Sequence, residues 1–177
     1  ARFNVVYDCG AGYGYVTKAQ KVVSQSFDKD DVIDYLFISH LDYDHISLVR
    51  FLLQNVQRVN NIVLPFMYED DIVFMITMMK ISNHNNTANF IQGILAHLQG
   101  ELRDDDYNVI NIIQVVDPDN NDFNQRGNNG FWRSGASANI ASDWILLPYN
   151  TRQTIAQEIF IHDLRALLRE DPFTNEL

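Results

Sequence analysis

The stretch "YLFISHLDYDHISLVRFLL", Tyr35 to Leu53, decides the reading of this chain. An apolar run, rich in aromatic and β-branched residues, stops at His40. Four side chains able to bind a cation then fall within six positions: His40, Asp42, Asp44 and His45. Directly afterwards Leu48, Val49, Leu52 and Val56 repeat at spacings of three and four, which is one face of a helix. The order is therefore buried strand, polar turn, amphipathic helix. Alternation in the turn points His40, Asp42 and Asp44 towards one side, and His45 joins from the first helical turn. Two neutral imidazoles and two carboxylates suit one or two divalent cations, and a cation removes the repulsion between neighbouring aspartates. The plain alternative is a solvated turn whose polar groups cap the helix, with Asp44 as the N-cap.

The same alternation of strand and helix extends outward. "FNVVYD" (Phe3 to Asp8) reads as a buried strand closing on the glycine turn "DCGAGYG". Val16 to Phe27 reads as a helix with Val22 and Val23 inward, closed by "DKDD", and "VIDYLFIS" as one continuous strand. "NIVLPF" is a third strand, ended by Pro65. Tyr68 to Ile81, apolar on most sides, reads as a buried helix with Met75, Met78 and Met79 as flexible fillers. Thr87 to Leu102 carries Ile91, Ile94, Leu95, Leu98 and Leu102 on one stripe. "YNVINIIQVV" and "DWILLPY" are further strands, and Asn150 can cap a last helix carrying Ile155, Ile159, Leu164 and Leu168. The polar segment 117–130 lacks the glycine and glutamate of a calcium loop and reads as solvated surface. The expected class is α/β with a largely parallel sheet, as a single domain over residues 1–177. Ligands in such sheets gather at the carboxyl ends of the strands, where Asp8 and His40 both stand.

Composition narrows the chemistry. The chain has 177 residues, 46% of them hydrophobic and 12% aromatic, which excludes general disorder. A net charge of −10 gives no passive electrostatic grip on nucleic acid or anionic lipid, so phosphate chemistry needs locally held cations. One cysteine, Cys9, allows no intrachain disulfide and suits a reducing, cytoplasmic compartment. No apolar run reaches the roughly 18 residues of a membrane span.

The ligand turn resembles the metal-binding signature of the metallo-β-lactamase-fold hydrolases, His-x-His-x-Asp-His, which follows a strand ending in Asp-x-Gly. "SHLDYDHI" supplies His40, Asp44 and His45 at matching places, and "YDCG" supplies Asp8. The resemblance covers about Phe3 to Val56. It implies the αββα sandwich of that family, with His40 on a first metal, Asp44 and His45 on a second, and Asp8 bracing the turn from outside the ligand set. It further implies a metal-dependent hydrolase, with Asp44 both ligating and orienting the attacking water, acting on a phosphodiester in the manner of a nuclease or phosphodiesterase, with a phosphoester or nucleotide as the substrate class. Asp42 stands where the signature has its second histidine, giving a His-x-Asp-x-Asp-His variant. A carboxylate there hardens the set and favours manganese, iron or magnesium relative to zinc. The family's later ligands, a Gly-Asp aspartate above all, find no counterpart, since no Gly-Asp pair occurs. His84, His97 and His162 read as surface or core-edge residues. The expectation is a partial copy of the fold with a site for one or two divalent ions, zinc or manganese, which as it stands binds metal weakly or not at all and is nearly inactive on phosphodiesters.

Two other readings remain. "DCGAGYG" also resembles the Asp-x-Gly-x-Gly-x-Gly loop of S-adenosylmethionine-dependent methyltransferases, although the following strand ends in Ser39 and His40 rather than the acid that would hold a ribose. A metallohydrolase fold retained as a non-catalytic module, binding a protein partner, is the third.

Overall fold

The computed structural model describes residues 3–98, 109–116, 130–141 and 144–150. Strand β1 (Val5–Tyr7) leads through the glycine turn to helix α1 (Val16–Ser26). Short strands β2 (Val32–Ile33) and β3 (Tyr35–Phe37) follow, then helices α2 (Tyr43–Ile46) and α3 (Val49–Asn55) and strand β4 (Arg58–Pro65). Helices α4 (Glu69–Ile81) and α5 (Asn85–Leu98) lead to strand β5 (Val109–Val116). Strands β6 (Phe131–Arg133), β7 (Ala138–Ala141) and β8 (Trp144–Leu146) complete the described elements.

The main sheet runs β1-β3-β4-β5-β6 with β2 beside β4, and every pairing in it is parallel. Chain order and sheet order coincide, so crossovers of one hand bring the helices to one face. The core agrees: Ile33, Leu36, Ile62, Leu64 and Ile112 of the sheet pack with Val49, Leu52, Ile72, Ile76, Ile91 and Ile94 of the helices. This is the mixed α/β class with a mostly parallel sheet.

The other face is aromatic. Register places Tyr7 beside Phe37, Phe37 beside Val63 and Pro65 beside Val115, all pointing away from the helices. The Tyr35 and Phe37 rings stack with centroids 5.9 Å apart, and Trp132 leans on both. Part of this face is covered by the segment that follows the antiparallel β7–β8 pair. That strap is tied down by Gly135 N–H donating to Pro148 O (2.8 Å) and by Asn150, whose backbone N–H donates to Ser134 Oγ (2.9 Å).

Several expectations are corrected. "VIDYLFIS" is split at Asp34, because the Asp34 carboxylate takes the Asn4 N–H at 2.9 Å while its backbone is held by Asn4 and Asn61. The helix after the ligand turn is also two pieces. His45 O accepts from Cys9 N (2.8 Å) and Leu48 N donates to Cys9 O (2.9 Å), so two helical partners are diverted to the glycine turn. Val23 leans on the core, but Val22 is exposed. α4 buries a single stripe, Ile72, Ile76 and Met79, while Val73, Met78 and Ile81 are exposed. Asn150 Nδ2 donates to Val115 O at 2.9 Å. The last helix expected from Asn150, the loop 117–129 and His162 lie outside the described residues, as does the end of the helix expected to reach Leu102.

Candidate metal turn at the carboxyl edge of the sheet

The segment from Ser39 to Ile46 leaves β3 at the carboxyl edge of the sheet. Leu41 and Ile46, both about 1% exposed, pin it to the core. The residues between are held outward, with His40, Asp42 and Asp44 exposed and His45 partly so. Hydrophobic anchors thus alternate with polar groups, and burying the first fixes the direction of the second. Asp42 occupies the N-cap position of α2 without a side-chain capping bond, and Asp44 falls within its first turn. The simple capping role considered for Asp44 is not what the structure shows.

The glycine turn is the other half of the site. Asp8 adopts φ 54°, a left-handed conformation that aspartate tolerates better than most residues. There its Oδ1 accepts the Ser39 N–H at 2.8 Å and its Oδ2 accepts the Ser39 hydroxyl at 2.7 Å. The same Oδ2 lies 2.8 Å from His45 Nδ1. Ser47 Oγ accepts the Ala11 N–H at 3.0 Å. Gly10 rests directly on α2: a Cβ there would stand 2.4 Å from Asp44 O and 2.5 Å from the His45 carbonyl carbon. Only glycine permits that approach. Gly12, by contrast, faces open space, and Gly14 has φ 86°.

These contacts set the protonation states. Burial pushes the Asp8 carboxyl up, but the Ser39 N–H, His45 and the Ser39 hydroxyl together outweigh it and hold Asp8 below its ordinary value. The hydrogen bond to Asp8 raises His45, against a smaller effect of burial. Burial, helped by the neighbouring Asp8 charge, pushes the Cys9 thiol up to about 12, so it stays protonated and unreactive.

With Asp8 ionised, the His45 Nδ1 proton points at a carboxylate and leaves Nε2 bare. His40 Nδ1 lies 2.9 Å from Ser39 Oγ, which likewise turns its Nε2 outward. The two rings sit 3.8 Å apart between centroids. Each bare nitrogen has a carboxylate beside it: Asp42 Oδ2 is 3.4 Å from His40 Nε2, and Asp44 Oδ2 is 3.8 Å from His45 Nε2. The donor set fits a divalent cation in kind, with imidazole tautomers fixed from behind. In arrangement it forms two pairs. Among the described residues, no three His, Cys, Asp or Glu side chains gather into a cage around one point.

His84 is not among these donors. Its ring stacks on Tyr43 at 3.9 Å and meets Tyr13 edge-on at 5.6 Å. The side chain of His97 lies outside what the structure describes. Sequence reasoning did not give Ser39, Cys9, Gly10 or Ser47 their roles. A serine directly before the first histidine was the one visible signal.

No helix among the described residues is long and apolar enough to cross a membrane. In comparisons with known proteins, no family model, no curated protein and no solved structure matches this chain.

Proposed function

We propose that this chain is a metal-dependent hydrolase acting on a small phosphodiester, built on a metallo-β-lactamase-like αββα plan. The observation that carries the reading is the bond between Asp8 and His45, with Ser39 clamped in the same carboxylate. A carboxylate behind a histidine fixes its tautomer and raises its basicity, which is how metal-binding histidines are ordinarily held. One helix layer, a sheet and the strap after β8 on the far face are compatible with the first part of that sandwich.

His40 and Asp42 would hold a cation from one side of the turn, Asp44 and His45 from the other. A divalent ion bound there supplies Lewis acidity and makes water a nucleophile near neutral pH. The chain's own part is positional. Asp8 and Ser39 keep both imidazoles facing outward, and Asp44, exposed at the rim of α2, orients the attacking water and takes its proton.

The glycine turn speaks against the methyltransferase. Gly10 is spent on contact with α2, and among the described residues β1 lies at the sheet edge rather than beside a reversal of strand order, where nucleotide crevices form. The non-catalytic module draws its support from the pairing of donors two by two. Calorimetric titration of the 177-residue chain with manganese and zinc, alongside hydrolysis of bis(p-nitrophenyl) phosphate, separates these readings. Weak metal binding with slow metal-dependent turnover, both lost in Asp44→Ala and His45→Ala with the fold intact, is the expected result. Full metal stoichiometry in either variant sinks the assignment of the turn.

A further inference from the structure

The geometry points to an apolar cleft beside the metal turn as the seat of an uncharged, apolar arm of the substrate. This rests on the hydrolase reading above and adds to it the kind of phosphodiester the site takes. The cleft, about 390 Å³, lies on the sheet face opposite the helices. Its floor comes from the carboxyl ends of four neighbouring strands: Tyr7 closes β1, Phe37 closes β3, Pro65 closes β4, and Val115 stands one residue before the end of β5. Its wall is the strap from Leu146 to Tyr149. The wall is anchored at its ends by the Gly135–Pro148 bond, by two hydrogen bonds between Asn150 and Ser134 and by Asn150 Nδ2 donating to Val115 O. Such anchoring keeps a cleft open where loose apolar chain would collapse onto the sheet.

Position gives the cleft its meaning. Ser39 lines it, and the hydroxyl of Ser39 donates to Asp8 and lies 2.9 Å from His40 Nδ1. The cleft and the metal turn therefore share a residue. A phosphoryl group held at the turn would have this cavity beside it, across Ser39. Among the described residues, the lining contains no Asp, Glu, Lys, Arg or His. A polynucleotide tracks cationic side chains, and a chain of net charge −10 with an uncharged cleft offers it none there. An apolar arm instead gains by leaving water, and small-ligand sites are commonly apolar with a few polar groups at one end. The volume suits an arm on the order of ten atoms, at about 30 Å³ for each water-sized unit. Tyr7 and Tyr149 line the cleft while remaining 70% and 72% exposed, so neither ring is aromatic for the sake of the core. They supply flat surface for an arm to lie against.

The test uses p-nitrophenyl alkyl phosphodiesters, methyl through octyl, with the manganese-loaded 177-residue chain. It is paired with NMR titration of the metal-free chain by straight-chain alcohols. KM is expected to fall roughly three- to fourfold per methylene until the cleft is full. The alcohols should shift the resonances of Tyr7, Phe37 and Tyr149 with affinity rising along the series. Leu147→Asp, which sets a carboxylate into the wall at an exposed position, should flatten the gradient. Val73→Asp, equally exposed on α4 and outside the cleft, should leave it intact. Alcohol binding at these residues without turnover supports the cleft and overturns the hydrolase reading alone. Turnover with no chain-length dependence and no shifts overturns the cleft and leaves the hydrolase standing. Absence of both overturns both, and an unchanged gradient in Leu147→Asp overturns the cleft.

Discussion

Asp8 and His45, 37 residues apart in the chain, meet at 2.8 Å, and through them the glycine turn and the ligand turn become one unit. Around that bond the Cys9 and Leu48 backbones, Gly10 and Ser47 close the same seam. Replacing Asp8 by asparagine keeps a residue able to adopt the left-handed backbone but removes the charge behind His45. Loss of a group that supports a metal-binding histidine typically costs 10–100-fold in metal affinity. Calorimetry with manganese should show a loss of that order in Asp8→Asn. A native-like circular dichroism spectrum would show that the loss is local.

The glycines of the turn should behave unequally. At Gly10 a methyl group collides with the Asp44 and His45 backbone, which cannot yield as a side-chain tip would. Gly10→Ala should cost at least the 1–3 kcal/mol of an overpacked core, about that in urea unfolding, and should displace the ligand turn. Gly12→Ala meets nothing within 4 Å and should be close to neutral. Equal effects at the two positions would mean that the seam between turn and helix is not formed.

The Asp8–His45 pair also sets a pH dependence in the metal-free chain. His45 is raised by Asp8, so its contribution is complete below the ordinary histidine value near 6.5 and fades as pH rises through the raised value. Asp8 is lowered, so its contribution is present above the ordinary carboxyl value near 3.9 and fades as pH falls through the lowered one. The stability gap between the native chain and Asp8→Asn, both in EDTA, should be widest between about pH 4 and 6.5. It should narrow on either side. A gap independent of pH would mean that the pair is not ionised as the geometry requires.

Much of this was legible in the sequence because it is local. Pro65 ends β4, the β-branched run makes β5, and the density of His40, Asp42, Asp44 and His45 marks the turn without any knowledge of the fold. What escaped reading depends on distant partners. Nothing near Asp34 announces that Asn4 will break its strand, and nothing near Ser47 announces that Cys9 will take the helix's hydrogen bonds. Strands β6 and β7, of three and four residues, are too short to carry a periodic signal. By spacing the glycine turn resembles a cradle for a nucleotide, because spacing alone cannot say what a glycine lies against. Gly10 lies against protein.

Asp42 is the residue by which the metal assignment can be tried most sharply. It stands where the resembled signature carries histidine, its side chain is 64% exposed, and its Oδ2 lies 3.4 Å from His40 Nε2. A carboxylate at that place favours harder cations, whereas imidazole suits zinc. Its exposure also means that substitution costs the fold little, since no core contact is lost. Asp42→His should therefore move the preference of the site from manganese towards zinc, by an amount that competition titration reads directly as a ratio of affinities. The urea midpoint of the metal-free variant should stay near that of the native chain. If the ratio is unchanged while both metals still bind, Asp42 faces solvent and the turn holds its cation through His40, Asp44 and His45 alone.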